Sequence, residues 1–143
     1  MTIPAPRPGL VIRYAFLWSH ERDAGAIEGS KDRPCAIVVA LPRDANGHIG
    51  TIVAPITHRP LDDVDASLEI PAAVCRSLGL DDGRHWIRFD ELNRFLWPGY
   101  DLRPRPNGSH DYGMLPQGLF EQLRQGILTR QRNHKGRIVA RTD

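Results

Sequence analysis

RPCAIVVAL, residues 33–41, decides the fold. After its first residue the stretch is nearly all apolar and rich in β-branched side chains, the composition of a centrally placed strand. The next nine residues, PRDANGHIG (42–50), carry Asn46-Gly47, a strong hairpin-turn dipeptide. TIVAPIT (51–57) then reads as the antiparallel partner returning beside the first strand. Upstream, LVIRYAFLW (10–18) places Leu10, Ile12, Tyr14, Phe16 and Trp18 on alternate positions, the period of a strand with one large apolar face.

Residues 19–32 (SHERDAGAIEGSKD) are polar and without a sustained period, so a long mobile loop is expected there. A second irregular loop follows residue 57, then a short strand around residues 67–70. Pro71 at a first helical position opens a helix of one or two turns that ends near Gly79. Residues 85–94 (HWIRFDELNR) suit one further strand, with Trp86, Arg88 and Asp90 on one face and Ile87 and Phe89 on the other. The proline- and glycine-rich run from Phe95 to Gly113 is expected to be loop. Residues 116–132 set Leu119, Leu123 and Ile127 at helical spacing, which predicts an amphipathic helix packed on the sheet. Short strands with hairpin turns and a closing helix give a mainly β (α+β) class: a small, partly open antiparallel barrel of SH3-like type.

A length of 143 residues fits one domain, residues 1–143, with its core between about residue 9 and about residue 132 and flexible termini. No apolar run approaches the roughly 20 residues of a membrane helix, and the proline-rich start is unlike a targeting segment. The expectation is a cytoplasmic protein without a membrane partner. Cys35 and Cys75 form no CxxC and have no ligand-spaced histidine nearby, so buried thiols are expected and neither a metal site nor a cofactor. The net charge is only +2, but from Arg94 onward arginine and lysine outnumber the acids, a local excess that could steer a polyanion.

Four polar residues stand at strand ends or on strand faces beside apolar neighbours: Arg33, Thr57, Arg88 and Asp90. Pro34 disfavours helical dihedrals at Arg33, so its guanidinium leaves the sheet from an extended backbone. Thr57 closes an apolar run and can donate or accept a hydrogen bond, which suits a phosphate as well as a turn cap. Arg88 and Asp90 point the same way from a strand, as a same-face ion pair would.

In order and spacing, Gly9-Leu10-Val11-Ile12, Arg33-Pro34 with its apolar run, Pro55-Ile56-Thr57-His58 and Arg88-Phe89-Asp90 resemble the PemK/MazF-like family of toxin endoribonucleases. The similarity runs from about Gly9 to about Arg132. Strand one lacks the aspartate that many members carry at its end, and two insertions, residues 71–82 and 95–110, enlarge the chain. The resemblance implies a homodimeric barrel that cleaves single-stranded RNA and is neutralised by a cognate antitoxin protein. It maps the family's catalytic arginine and threonine onto Arg33 and Thr57, and the Arg-x-Asp pair of some members onto Arg88 and Asp90.

RNA carries its own nucleophile, the 2′-hydroxyl, so a metal-free ribonuclease needs a base, positive charge for the transition state and help for the leaving oxygen. Arg33 and Arg88 suit the charge, because a guanidinium stays protonated and meets two phosphate oxygens at once. Asp90 is the first candidate for the base by position, and His58 or His20, which titrate nearer neutrality, could supply the acid or base instead. Trp18 offers a stacking surface for an unpaired base, and Arg59 a further cation. Two other readings stay open: a catalytically silent nucleic-acid- or protein-binding module on the same barrel, and a structural protein whose loops dock a partner unrelated to RNA.

Overall fold

The computed structural model describes residues 3–27, 29 and 31–141. Eight strands and three α-helices follow one another among the described residues: β1 (Leu10–Tyr14), α1 (Ser19–Asp23), β2 (Arg33–Ala40), β3 (Ile49–Thr57), β4 (Ser67–Glu69), α2 (Ala72–Leu78), β5 (Trp86–Arg88), β6 (Glu91–Trp97), β7 (Asp111–Met114), α3 (Gln117–Arg132) and β8 (Arg137–Ala140). The hydrogen-bonded order is β4-β5-β3-β2-β1-β7, with β6 beside β3 and β8 beside β6. Every pairing is antiparallel except that of β8 with β6. The result is a mainly antiparallel, partly open barrel with a helix near its C-terminus.

The curl of the sheet comes from β3. Its nine residues keep β2 on one edge, but on the other they change partner: Ile49 to Val53 pair with β6, whereas Ile56 and Thr57 pair with β5. A strand shared in this way turns a corner between two sheet segments. The hairpin joining β2 to β3 closes where expected. Gly47 sits at φ 81° and donates its N–H to the Asp44 carbonyl, while Asp44 Oδ1 accepts from the N–H groups of Asn46 and His48.

Alternation along the strands supplies two cores. Val11, Ala36, Val38, Ala54 and Ile56 face α2 and α3, where Cys75, Leu78, Leu119 and Leu123 cover them. Ile12, Cys35, Ile37 and Val53 face the other way, against Tyr14, Phe16, Phe95 and Trp97. Residues 33–41 are almost wholly apolar for this reason: both faces of β2 are covered. All five alternate residues from Leu10 to Trp18 join the second core, although the hydrogen-bonded strand ends at Tyr14.

Three expectations need correction. The stretch taken as loop after Trp18 begins with α1, whose start is closed by the Trp18 N–H donating to Glu21 Oε1 at 3.1 Å; Glu28 and Ser30 of that stretch lie outside the described residues. The single strand expected over residues 85–94 is two strands broken at Phe89 and Asp90, and the second continues through Trp97. Phe95 and Trp97 belong to the core while Leu96 faces out, so a strand period extends into what the proline-rich composition marked as loop. Finally, the ordered core does not stop near residue 132. Val139 is buried within β8, and Arg141 beyond it is clamped by Asp101 at 2.8 Å and donates to the Ala15 carbonyl, the Tyr14 hydroxyl and Asn93 Oδ1. No helix among the described residues is long and apolar enough to cross a membrane.

Candidate functional site

Arg33 is the first residue of β2 and Thr57 the last of β3. Cys35 pairs with Pro55, two residues in from each end, so the antiparallel register brings Arg33 and Thr57 together. Arg88 ends β5, which pairs with the same end of β3 through Ile56–Ile87 and Thr57–Trp86. The start of β2, the end of β3 and the short β5 therefore meet at one corner. There Arg33, Thr57 and Arg88, with Lys31, His58 and Arg59, line an open cavity of about 500 Å³.

The two guanidiniums are held from below. Arg33 lies 5.0 Å and Arg88 4.5 Å from the centre of the Trp18 ring, which is 8% exposed and is itself braced edge-on by Phe16. Cation–π contacts that are partly desolvated in this way contribute roughly 1–2 kcal/mol each. Burial, with the nearby Arg88 charge adding to it, holds the Arg33 guanidinium below its ordinary pKa. Its Nε is buried and has no hydrogen-bond partner among the described residues. Arg88 is fixed more firmly: Nε donates to Asp90 Oδ1 at 3.0 Å and Nη2 to Asp90 Oδ2 at 2.7 Å, with Glu91 Oε2 3.6 Å from Nη2. Glu91 also accepts the Ser19 N–H through Oε1 at 2.7 Å, which ties the start of α1 to this corner.

Asp90 thus stands behind the cavity and reaches it through Arg88, with both carboxylate oxygens occupied. The Thr57 hydroxyl donates to the Arg59 carbonyl at 3.1 Å, so in this structure it caps the turn that leaves β3. His58 and Arg59 are exposed on the cavity wall. His20 is exposed on α1 and lines neither this cavity nor the one beside it. Trp18 is a buried support for two arginines, not an open stacking platform. Trp86 and Trp97 are buried as well, the former under Arg84, the latter donating its indole N–H to the Pro4 carbonyl.

Three further side chains join this corner without a local sequence pattern to mark them. Lys31 shares the cavity wall, Glu91 braces Arg88, and His85, 3% exposed, packs its ring 4.6 Å from that of His58. Burial, and then the neighbouring His58, hold His85 below the ordinary histidine pKa. Only the β3–β5 pairing brings His85 beside His58, and no local pattern announces it. Cys35 is buried directly behind Arg33, and burial pushes its thiol far above the reactive range. Among the described residues no three His, Cys, Asp or Glu side chains are grouped so as to hold a metal ion.

No family model matches the chain, and no curated protein or solved structure matches it significantly.

Proposed function

We propose that the chain is a metal-independent endoribonuclease acting on single-stranded RNA, the toxin half of a toxin–antitoxin pair of PemK/MazF-like kind. One observation carries this: Arg33, Thr57 and Arg88, far apart in sequence, line one open cavity whose charged lining, with Lys31 and Arg59, is all positive. The RNA 2′-oxygen attacks the neighbouring phosphorus, the P–O5′ bond breaks, and the products are a 2′,3′-cyclic phosphate and a 5′-hydroxyl. His58 takes the 2′-hydroxyl proton, and water supplies the proton that the departing O5′ needs. Arg33 and Arg88 stabilise the charge that builds on the phosphoryl oxygens. Asp90 orients Arg88. Thr57 positions the phosphate by turning its hydroxyl away from the Arg59 carbonyl. A cytoplasmic setting belongs to the same proposal, and the resemblance adds a homodimer and a cognate antitoxin as partner.

The test is cleavage of a mixed-sequence single-stranded RNA in EDTA. Wild type should yield cyclic-phosphate ends, and Arg33→Ala and Arg88→Ala proteins with an unchanged far-UV spectrum should be slower by about 10²–10³-fold, the scale of losing one transition-state donor. A wild-type protein that leaves the RNA intact refutes the assignment. One observation favours the silent-module alternative: both Asp90 oxygens are taken by Arg88, which leaves no idle carboxylate at the site. Tight RNA binding without cleavage would establish that alternative.

A further inference from the structure

A second cavity, of about 460 Å³, adjoins the first and shares Lys31, Arg33 and His58 with it. Its outer wall comes from two segments that the family resemblance leaves unmatched: Gly79, Leu80 and Asp81 just after α2, and Arg105 and Pro106 in the loop before β7. Its inner side is formed by Arg13, Pro34, Ile56 and His85. These walls are built, not incidental. Arg105 stacks 4.2 Å over the Tyr112 ring and donates to the Asp111 carbonyl at 3.0 Å, while a turn closed by the Gly108 N–H on the Arg105 carbonyl presents Pro106.

The lining has a mixed chemistry. Arg13, Lys31, Arg33 and Arg105 outnumber Asp32 and Asp81, and Ile56, Leu80 and the two prolines add an apolar surface. The buried His85 contributes a flat ring to the lining. A polyanion with flat, partly apolar rings matches that combination better than a simple anion or a greasy ligand does.

We propose that this second cavity holds the unpaired nucleotide next to the scissile phosphate, its base against Leu80, Pro106 and His85 and its backbone toward Arg13 and Lys31. It deepens the endoribonuclease assignment and rests on it. Burial, and then the neighbouring His58, hold the His85 pKa below the ordinary histidine value, which favours its ring as a stacking surface over a further cation. The two insertions thereby become a specificity element that the catalytic corner alone lacks.

The experiment compares kcat/KM in EDTA for a dinucleotide and for tetranucleotides varied at the position flanking the cut. Wild type should favour the longer RNA and one base at that position. Leu80→Trp and Pro106→Trp both fill the cavity, and Pro106 is exposed, so that variant does not put folding at stake. Each should lower the tetranucleotide-to-dinucleotide ratio by about tenfold, the scale of one lost base contact. An unchanged ratio and base preference in both variants, with wild type still cutting, overturns the inference and leaves the endoribonuclease standing. If wild type cuts neither substrate, the catalytic assignment falls, and anisotropy of a labelled tetranucleotide decides the cavity. Weaker binding by Pro106→Trp upholds a nucleotide site, and equal or absent binding removes it.

Discussion

Replacing Asp90 by asparagine separates orientation from proton transfer. In the native pair two charge-assisted hydrogen bonds, 3.0 and 2.7 Å long, hold Arg88 in a fork on the two carboxylate oxygens. Asparagine keeps one acceptor and loses the charge, so one bond of roughly 1.5–3 kcal/mol is lost. Arg88 does not drift freely, because Glu91 Oε2 remains 3.6 Å away and the Trp18 ring lies 4.5 Å beneath it. With that support the net loss of transition-state stabilisation should be about 1–2 kcal/mol, or about 5–30-fold in kcat/KM. The decisive readout is the pH dependence. If Asp90 only orients Arg88, the profile keeps its shape and moves down as a whole; His58→Gln, by contrast, changes the shape. If Asp90 were the base, Asp90→Asn would cost about 10²–10⁴-fold and remove a limb of the profile. That second pattern, measured on a single-stranded RNA in EDTA with the folded state checked by circular dichroism, would refute the positioning role.

Two predictions concern stability. Arg141 is 2% exposed at its side chain and pairs with the buried Asp101 at 2.8 Å, so Arg141→Ala should lower the unfolding free energy by about 3 kcal/mol in urea titration. Asp101→Asn in the same chain should return part of that loss, because the buried charge then disappears with its partner. His85 gives a pH signature: its folded pKa lies below the unfolded value, so the unfolded chain binds more protons as the pH falls below about 6.5. Its contribution is therefore complete above that pH and lost below it. The neighbouring His58 charge deepens the effect and Asp81 opposes it. His85→Gln should flatten the slope in this window but leave the slope at lower pH, where Asp44, Asp63, Glu69 and Glu121, all held low by hydrogen bonds, take up protons.

The strand faces were legible because each was written locally. Leu10 to Trp18 alternate and share one core, and residues 33–41 lack alternation because both faces of β2 are covered. Phe95 to Trp97 misled for the opposite reason: Pro98 and Gly99 mark the stop, and composition spread that signal backward over a strand that precedes it. β8 has only four residues and depends on Arg141 reaching Asp101, a contact that no window of sequence contains.

The same division of local from distant explains the candidate site. Arg33, Thr57 and Arg88 could be picked out as polar residues ending apolar runs, yet what joins them is the exchange of partners along β3. β6 takes the first half of that strand, β5 the second, and between them Phe89 and Asp90 break the ladder. Across the break Arg88 and Asp90 still meet as the same-face pair that their spacing predicts, both Asp90 oxygens accepting from the Arg88 guanidinium. Beyond Thr57 the chain runs on beside His85, whose ring centre lies 4.6 Å from that of His58, and the turn carrying His58 and Arg59 forms a wall of the cavity that Arg33 lines. The irregularity within residues 85–94 leaves Arg88 at the end of a three-residue strand, where it lines the cavity beside Arg33 and Thr57.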